Sequence, residues 1–382
     1  MGRNALKSWS IVVVAAALLW VPAVYPQKEV DCKQKDLTKR MSCFYQQGDL
    51  DAAVPLSEKV LKTAQNVNSA TPESIAAAHF NVALLRKRRF QRNRSSRQEL
   101  SKRETRKLLK LLEEDSKKSE EHFRKVLELR KGAEEVSQVA DARYELAWLL
   151  VNDTRKSAED IEKRSAEAEV FYKLALDHRE AKLGKDHNQT LSTIFALAEC
   201  YRNQLKFEEA LPYYERYVST IDTKYGKNQK AVAPALNRMS EIYFTIFEED
   251  KSKSLGDRAS ALIGSPIIAP KANYVLNNRM TDLQKKKNGR VDTYISLNAI
   301  NKSQRWDDRH NRFAKEKMKR IPIRVVIDED GRVSEAVSEA KDEALSPEAV
   351  REVRKWDFRP VEVNGVKHKM RGIVVFTKWV VL

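Results

Sequence analysis

From about residue 31 to residue 250 apolar positions recur at threes and fours, with small residues between them, and this period predicts helices. A different pattern takes over near the end. IPIRVVID alternates, placing Ile321, Ile323, Val325 and Ile327 on one face of a strand, and Asp330-Gly331 supplies tight-turn chemistry before RVSEAV. Ser346 then serves as a helix N-cap with Pro347 at the first helical position. Leu345, Ala349, Val350, Val353 and Trp356 form one apolar stripe on that helix, which packs it against a sheet. Asn364-Gly365 turns the chain between VEV and RGIVVFTKWVVL, a closing run whose β-branched content predicts a last strand. The predicted order is strand, strand, helix, strand, strand.

Within the helical region the sequence repeats itself. KLGKDHNQTLSTIFALAECY around Gly184 returns 42 residues later as KYGKNQKAVAPALNRMSEIY around Gly226, with Tyr201 and Tyr243 in register. The same step relates Ala168 and Tyr172 to Ala210 and Tyr214. A fixed period of this length means stacked helix pairs. These segments resemble tetratricopeptide repeats of the longer, 42-residue variety, and GDLDAAVPLSEKVL carries the family's positions at Gly48, Ala53, Val60 and Leu61. Four repeats are expected over 31–250. Each pair has an apolar face too large to cover alone, and stacking buries it while leaving a groove for a protein or peptide. Tyr172, Tyr201, Tyr213, Tyr214 and Tyr243 are candidates for that groove, although aromatics at helical spacing more often pack in a core.

Beyond Asp250 the helical period fails, which predicts a short linker over 251–270. A strand follows in NGRVDTYISL after Gly289, then a basic insertion from Lys302 to Arg320. The final segment resembles the C-terminal domain of TonB-type periplasmic proteins. The resemblance rests on VVIDEDGRVSEA, an alanine-bearing helix, RKWDFRPVEVNG and a closing GIVVFT strand, in that order; it covers 321–382 firmly and the stretch from about Ser265 loosely, with the domain itself expected at 271–382. The fold class is therefore a multidomain chain, an all-α tetratricopeptide-like array followed by a small α+β domain.

The TonB resemblance implies that the closing strand lends its edge to a short segment of an outer-membrane receptor or another envelope protein. The partner-binding residues would be Gly372, Val374, Val375, Phe376 and Lys378. It implies energy coupling less well. The N-terminal apolar run has Ser8 and Ser10 but no histidine for a proton-driven motor, and no proline-rich spacer follows it.

Charge and termini narrow the setting. Lys and Arg exceed Asp and Glu by 71 to 54, a net +17, which favours anionic partners. Arg3 and Lys7 precede the uncharged stretch Ser8–Gln27 with IVVVAAALLW at its centre. Residues 1–27 thus read as a cleaved export signal or a retained membrane anchor, and either one places the main body in the bacterial periplasm or cell envelope. Export makes a disulfide between Cys32 and Cys43 chemically feasible. Were both on one helix, though, about 16 Å would separate them, too far for the bond. Cys200, in LAECY, is expected in a core.

No serine-nucleophile, zinc-protease, phosphate-loop or dinucleotide motif is present, so neither catalysis nor a cofactor or metal is expected. The DEDG turn lacks the later ligands of a calcium loop. The six histidines are scattered singly, and His187 falls where a helix cap belongs. One rival to an adaptor remains. Eleven of the twenty-two residues from Arg86 to Lys107 are Lys or Arg, and Arg88, Arg89, Arg92 and Arg94 could bind an anionic surface or nucleic acid. Export argues against nucleic acid.

Overall fold

The computed structural model describes residue 32 and residues 35–95, 100–133, 135–153, 158–264, 316–340 and 346–381. The export or anchor segment, the strand expected after Gly289 and most of the 302–320 insertion lie outside the described residues. Among those described, no helix is long and apolar enough to cross a membrane.

Among the described residues ten helices come first: α1 (Leu37–Gln46), α2 (Leu50–Gln65), α3 (Pro72–Ser95), α4 (Lys102–Leu129), α5 (Ser137–Asn152), α6 (Ala158–Leu183), α7 (Asn188–Asn203), α8 (Phe207–Tyr225), α9 (Ala233–Thr245) and α10 (Glu249–Ile263). Their starts follow capping chemistry. Asp36, Asp49 and Ser101 accept hydrogen bonds from first-turn amides, Ser101 within a reciprocal capping box with Glu104, and the His187 ring accepts from the Gln189 amide. The helices pair into five hairpins, one more than the self-similarity predicts. The fifth partner is α10, which occupies most of the expected linker. Its contact face is made of small residues rather than large apolar ones. Ser252 is buried and bonded to Ser240 on α9, a Cβ on Gly256 would meet Ser240 Oγ at 3.3 Å, and Ala259 is fully buried. Hydrophobic periodicity therefore misses it. The basic stretch of the second hairpin is helix through Ser95.

Three hairpin turns share one geometry. The residues after α1, α7 and α9 include Gly48, Leu205 and Phe247 at φ 76, 57 and 65, and the next amide in each case donates to a carbonyl five residues back. This is a Schellman-type ending, in which a left-handed residue lets the last carbonyls of a helix be bonded.

The described residues divide into two compact units. One comprises Met1–Asp153 with Val170–Lys182, and the other Thr154–Glu169 with Leu183–Leu382. In the first, Cys32 and Cys43 form a disulfide with Cα atoms 5.7 Å apart. The expectation of 16 Å fails because Cys32 is not on the helix that carries Cys43, which starts at Leu37 with Asp36 as its cap. Met41, Leu50, Ala53, Val54, Leu56 and Leu85 make the core beside it.

In the second unit the chain closes with β1 (Glu316–Ile327), β2 (Val333–Ser338), α11 (Ser346–Val353), β3 (Val361–Val363), β4 (Val366–His368) and β5 (Met370–Val381). The main sheet has the order β2-β1-β5, all antiparallel, and β3 and β4 form a separate two-stranded ribbon. Asn364-Gly365 at φ 52 and 74 is a two-residue turn of the kind that matches strand twist, and it joins β3 to β4 rather than to the closing strand. β1 starts at Glu316, inside the expected insertion, because β5 is long enough to pair with it there, Glu316 opposite Val381. Ile321, Ile323, Val325 and Ile327 are buried, as are Ala349, Val353, Trp356 and Phe358.

Candidate interaction surfaces

The basic stretch of α3 is only in part a solvated face, with Arg92 and Arg94 exposed. Arg86 and Arg89 are buried and converge on Asp115 of α4. Asp115 Oδ1 accepts from Arg86 Nη1 at 2.8 Å and Arg89 Nη2 at 2.7 Å, and its Oδ2 from Arg89 Nε at 2.7 Å. Arg86 also pairs with Glu58, Arg92 with Asp51 at 2.8 Å, and Arg94 donates to the Asn152 carbonyl at 2.6 Å. Of Arg88, Arg89, Arg92 and Arg94, three are thus bonded to neighbouring helices, and Arg88 is half-buried. A count of basic residues along α3 does not reveal these partners. The reason is that the compensating acids sit on facing helices, remote in sequence, where a local charge count does not register them.

A second charged cluster lies beside it. Lys87 pairs with Glu145 of α5, and its ammonium lies 4.3 Å from the centre of the Trp148 ring, a cation–π contact. Burial pulls the Lys87 ammonium below its ordinary pKa. Burial would raise the Glu145 carboxyl, but the charges of Lys87, Arg88 and Arg179 hold it below the usual carboxylate range. Arg179 bonds Asp141 at 2.6 Å and lies 4.5 Å from the Tyr144 ring centre; burial pushes the Tyr144 hydroxyl up to about 12. These groups neutralise one another inside the fold.

Two histidines that look isolated in sequence also meet. His79 on α3 and His122 on α4 place their Nδ1 atoms 2.7 Å apart, so one ring donates and the other accepts. Burial, then His122, then Lys125 lower His79 to about 4; burial, Arg86 and Lys118 lower His122 against Glu58. Both rings are thereby held neutral in the fold, while an unfolded chain protonates them near pH 6.5. The His79 contribution to stability is complete above that pH and is lost as pH falls from about 6.5 towards 4, and the His122 contribution is lost in the same direction. Between pH 7 and pH 5 the His79 share is about 1–2 kcal/mol. Urea titrations of the native chain and His79→Gln at both pH values should show the loss shrinking by that amount in the variant; an equal loss in both would remove the pair as its source.

The candidate groove tyrosines are mostly core. Tyr172, Tyr201, Tyr214 and Tyr243 are buried, and half-buried Tyr213 stacks on Tyr201 with ring centres 5.7 Å apart. The hydroxyls of Tyr201 and Tyr243, at the ends of successive first helices, reach Glu169 at 3.2 Å and Glu215 at 3.4 Å. Each hydroxyl meets a carboxylate of the preceding helix, 32 residues back for Tyr201 and 28 for Tyr243, so the 42-residue step carries over the tyrosine and not its acceptor. Cys200 is buried, as expected.

On the sheet, hydrogen-bond parity redistributes the expected partner-binding residues. Pro322 O accepts from the Glu339 amide and the Asp328 amide donates to Arg332 O, so even-numbered β1 residues turn their main-chain groups to β2 and odd-numbered ones to β5. Gly372 and Val374 pair with Val325 and Ile323, and Phe376 and Lys378 with Ile321 and Lys319. Four of the five residues named for strand addition therefore spend their main-chain bonds on β1. Only Val375 has the other parity. The side chains of Val374 and Val375 are buried. Alternation in sequence shows which side chains share a face, not which edge a residue's amide serves.

The tetratricopeptide repeat family model matches residues 161–223, from α6 through most of α8. No curated protein matches the chain. Solved structures similar to it include BtubC (BKLC) from P. vanneervenii, at 15% identity and a TM-score of 0.47, covering 71% of this chain and 91% of that one. A Podosopora anserina chain described as a kinesin light chain with nearly identical TPR-like repeats has 14% identity and a TM-score of 0.45, with coverage of 62% and 98%. The apo form of RapI has 16% identity and a TM-score of 0.40, with coverage of 62% and 71%. Residues 161–223 carry tetratricopeptide repeats, helical hairpins that generally serve as non-catalytic scaffolds binding protein or peptide partners.

Proposed function

We propose that this chain is a non-enzymatic adaptor of the bacterial cell envelope, exported across the inner membrane or anchored in it, that holds protein partners on two modules. One is the set of helical hairpins. The other is the C-terminal sheet domain, read as TonB-like, which joins envelope proteins such as outer-membrane receptors by main-chain pairing along its sheet. The observation that carries the reading is a tetratricopeptide match in the same chain as a C-terminal antiparallel sheet with a helix packed on it, with no catalytic motif in the sequence.

Two further features support the address. A basic pair followed by an apolar run opens the chain, and the bond between Cys32 and Cys43 is a kind that persists in oxidising compartments and is rare in the cytosol. In denaturant without reductant, the purified chain should therefore offer one titratable thiol, that of Cys200. Three thiols would remove the support that the disulfide lends to export.

The adaptor reading is tested by photo-crosslinking residues placed in living cells at Val170 on α6 and Val337 on β2, which are 54% and 65% exposed. Adducts with envelope proteins are expected from both positions, together with recovery of the chain in the envelope fraction. A chain retained in the cytoplasm, or one that yields no adduct at either position, would overturn it.

A further inference from the structure

The turn between α9 and α10 contains a residue that the backbone does not favour. Phe247 sits at φ 65, in the left-handed region, where a bulky side chain crowds the following carbonyl. At the same point of the first hairpin stands Gly48, which adopts this conformation freely. At the same point of the fourth stands Leu205, which is only 3% exposed and so offsets its strain by filling the core. Phe247 has no such offset, since it is 39% exposed.

What Phe247 does touch belongs to the sheet domain. The guanidinium carbon of Arg371, near the start of β5, lies 3.6 Å from the centre of the Phe247 ring and 4.4 Å from that of Phe244. Arg371 Nη2 bonds Glu249 Oε1 at 2.6 Å, while its Nε is buried without a hydrogen bond. The cation is thus held by ring faces and one carboxylate. Beside it, His368 Nδ1 lies 3.5 Å from Glu248 Oε1. Four residues at the junction of α9 and α10, two aromatic and two acidic, face two basic residues of the sheet domain. A guanidinium suits this setting because it stacks flat on a ring while its edge still donates to a carboxylate.

We infer that the segment Phe244–Glu249 is an arginine clamp that docks the C-terminal sheet domain onto the last helical hairpin through Arg371, and that Phe247 keeps its strained backbone for this contact. The sheet domain then moves with α9 and α10 as one body, and a partner bound on the sheet is presented at a fixed angle to that hairpin.

A double-mutant cycle in the full chain separates the two effects of Phe247. Phe247→Gly relieves the backbone and removes the stack, whereas in an Arg371→Gln background it only relieves the backbone. The change that Phe247→Gly makes in the unfolding constant should therefore differ between the two backgrounds by about fivefold or more, stabilising where Arg371 is absent. Arg371→Lys, which keeps the charge but not the planar stack, should give an intermediate coupling and closes the same cycle should the glutamine variant not fold. Amide exchange at residues 244–249 supplies a second readout, rising in Arg371→Gln while the α7–α8 turn stays unchanged. An equal effect of Phe247→Gly in both backgrounds, or unchanged exchange at 244–249, would overturn the clamp.

Discussion

Replacing Asp115 by alanine should destabilise the protein by about 3–5 kcal/mol, the range for breaking a buried ion pair from one side. Asp115 is fully buried and is the acceptor on which both Arg86 and Arg89 converge. Without it, Arg86 retains Glu58 and a more distant Glu114 at 3.6 Å, and Arg89 retains Asp51 at 3.6 Å; Glu58, Glu114 and Asp51 are all solvent-accessible. Two guanidinia would stay in the interior with too few acceptors, and desolvated charge is what such variants suffer from.

Asparagine at the same position keeps the shape and one acceptor oxygen, so its cost should be smaller but still above about 1 kcal/mol. The test of mechanism is a triple change. Asp115→Leu with Arg86→Met and Arg89→Met removes the three buried charges of the cluster at once, leaving only solvent-accessible carboxylates, and such replacements are often neutral or stabilising. Urea unfolding should show the single alanine variant shifted in midpoint with an unchanged slope and the triple variant restored. An alanine variant within about 1 kcal/mol of the native chain would show that solvent reaches the arginines.

The same residues show what a sequence conveys and what it withholds. The 42-residue step revealed the hairpins because Tyr201 and Tyr243, or Ala168 and Ala210, repeat a packing position, and packing positions are apolar and local. Capping at His187 and the turns at Gly331 and Asn364-Gly365 were legible for the same reason, since a few adjacent residues decide them. What failed to show depends on partners far along the chain. Arg89 reads as a surface cation until Asp115, 26 residues later, is placed opposite it. His79 and His122 are 43 residues apart, and only the antiparallel packing of α3 on α4 joins them. Helix α10 escaped notice because its buried face is Ser252, Gly256 and Ala259, whose close approach to α9 leaves little hydrophobic signal. The sheet was readable as strands and as a buried face. Its edges were not, because hydrogen-bond parity is fixed by which strand lies on which side.

Gly331 to alanine is the substitution that should damage the C-terminal domain most for the fewest atoms added. The glycine lies at φ 87 in the turn between β1 and β2, where Asp328 Oδ1 accepts from the Asp330 and Arg332 amides. Conformation alone would cost an alanine there about 1–2 kcal/mol. The larger effect is contact. A Cβ at this position would stand 2.0 Å from the carbonyl oxygen of Phe358, and that atom is backbone, unable to swing aside. The Phe358 amide is bonded to Gly331 O at 2.8 Å, so moving the carbonyl away strains the bond that joins the segment after α11 to the hairpin turn. Trp356 and Phe358, both buried, are carried by that segment and would shift with it. Added to overpacking, the total should exceed about 3 kcal/mol. Gly365 provides the control, because it has φ 74 but nothing within 4 Å of its added Cβ, so alanine there should cost only the conformational share of about 1 kcal/mol. Tryptophan fluorescence during urea unfolding measures both. Equal losses at the two positions would mean that the turn yields to Phe358 rather than being fixed by it.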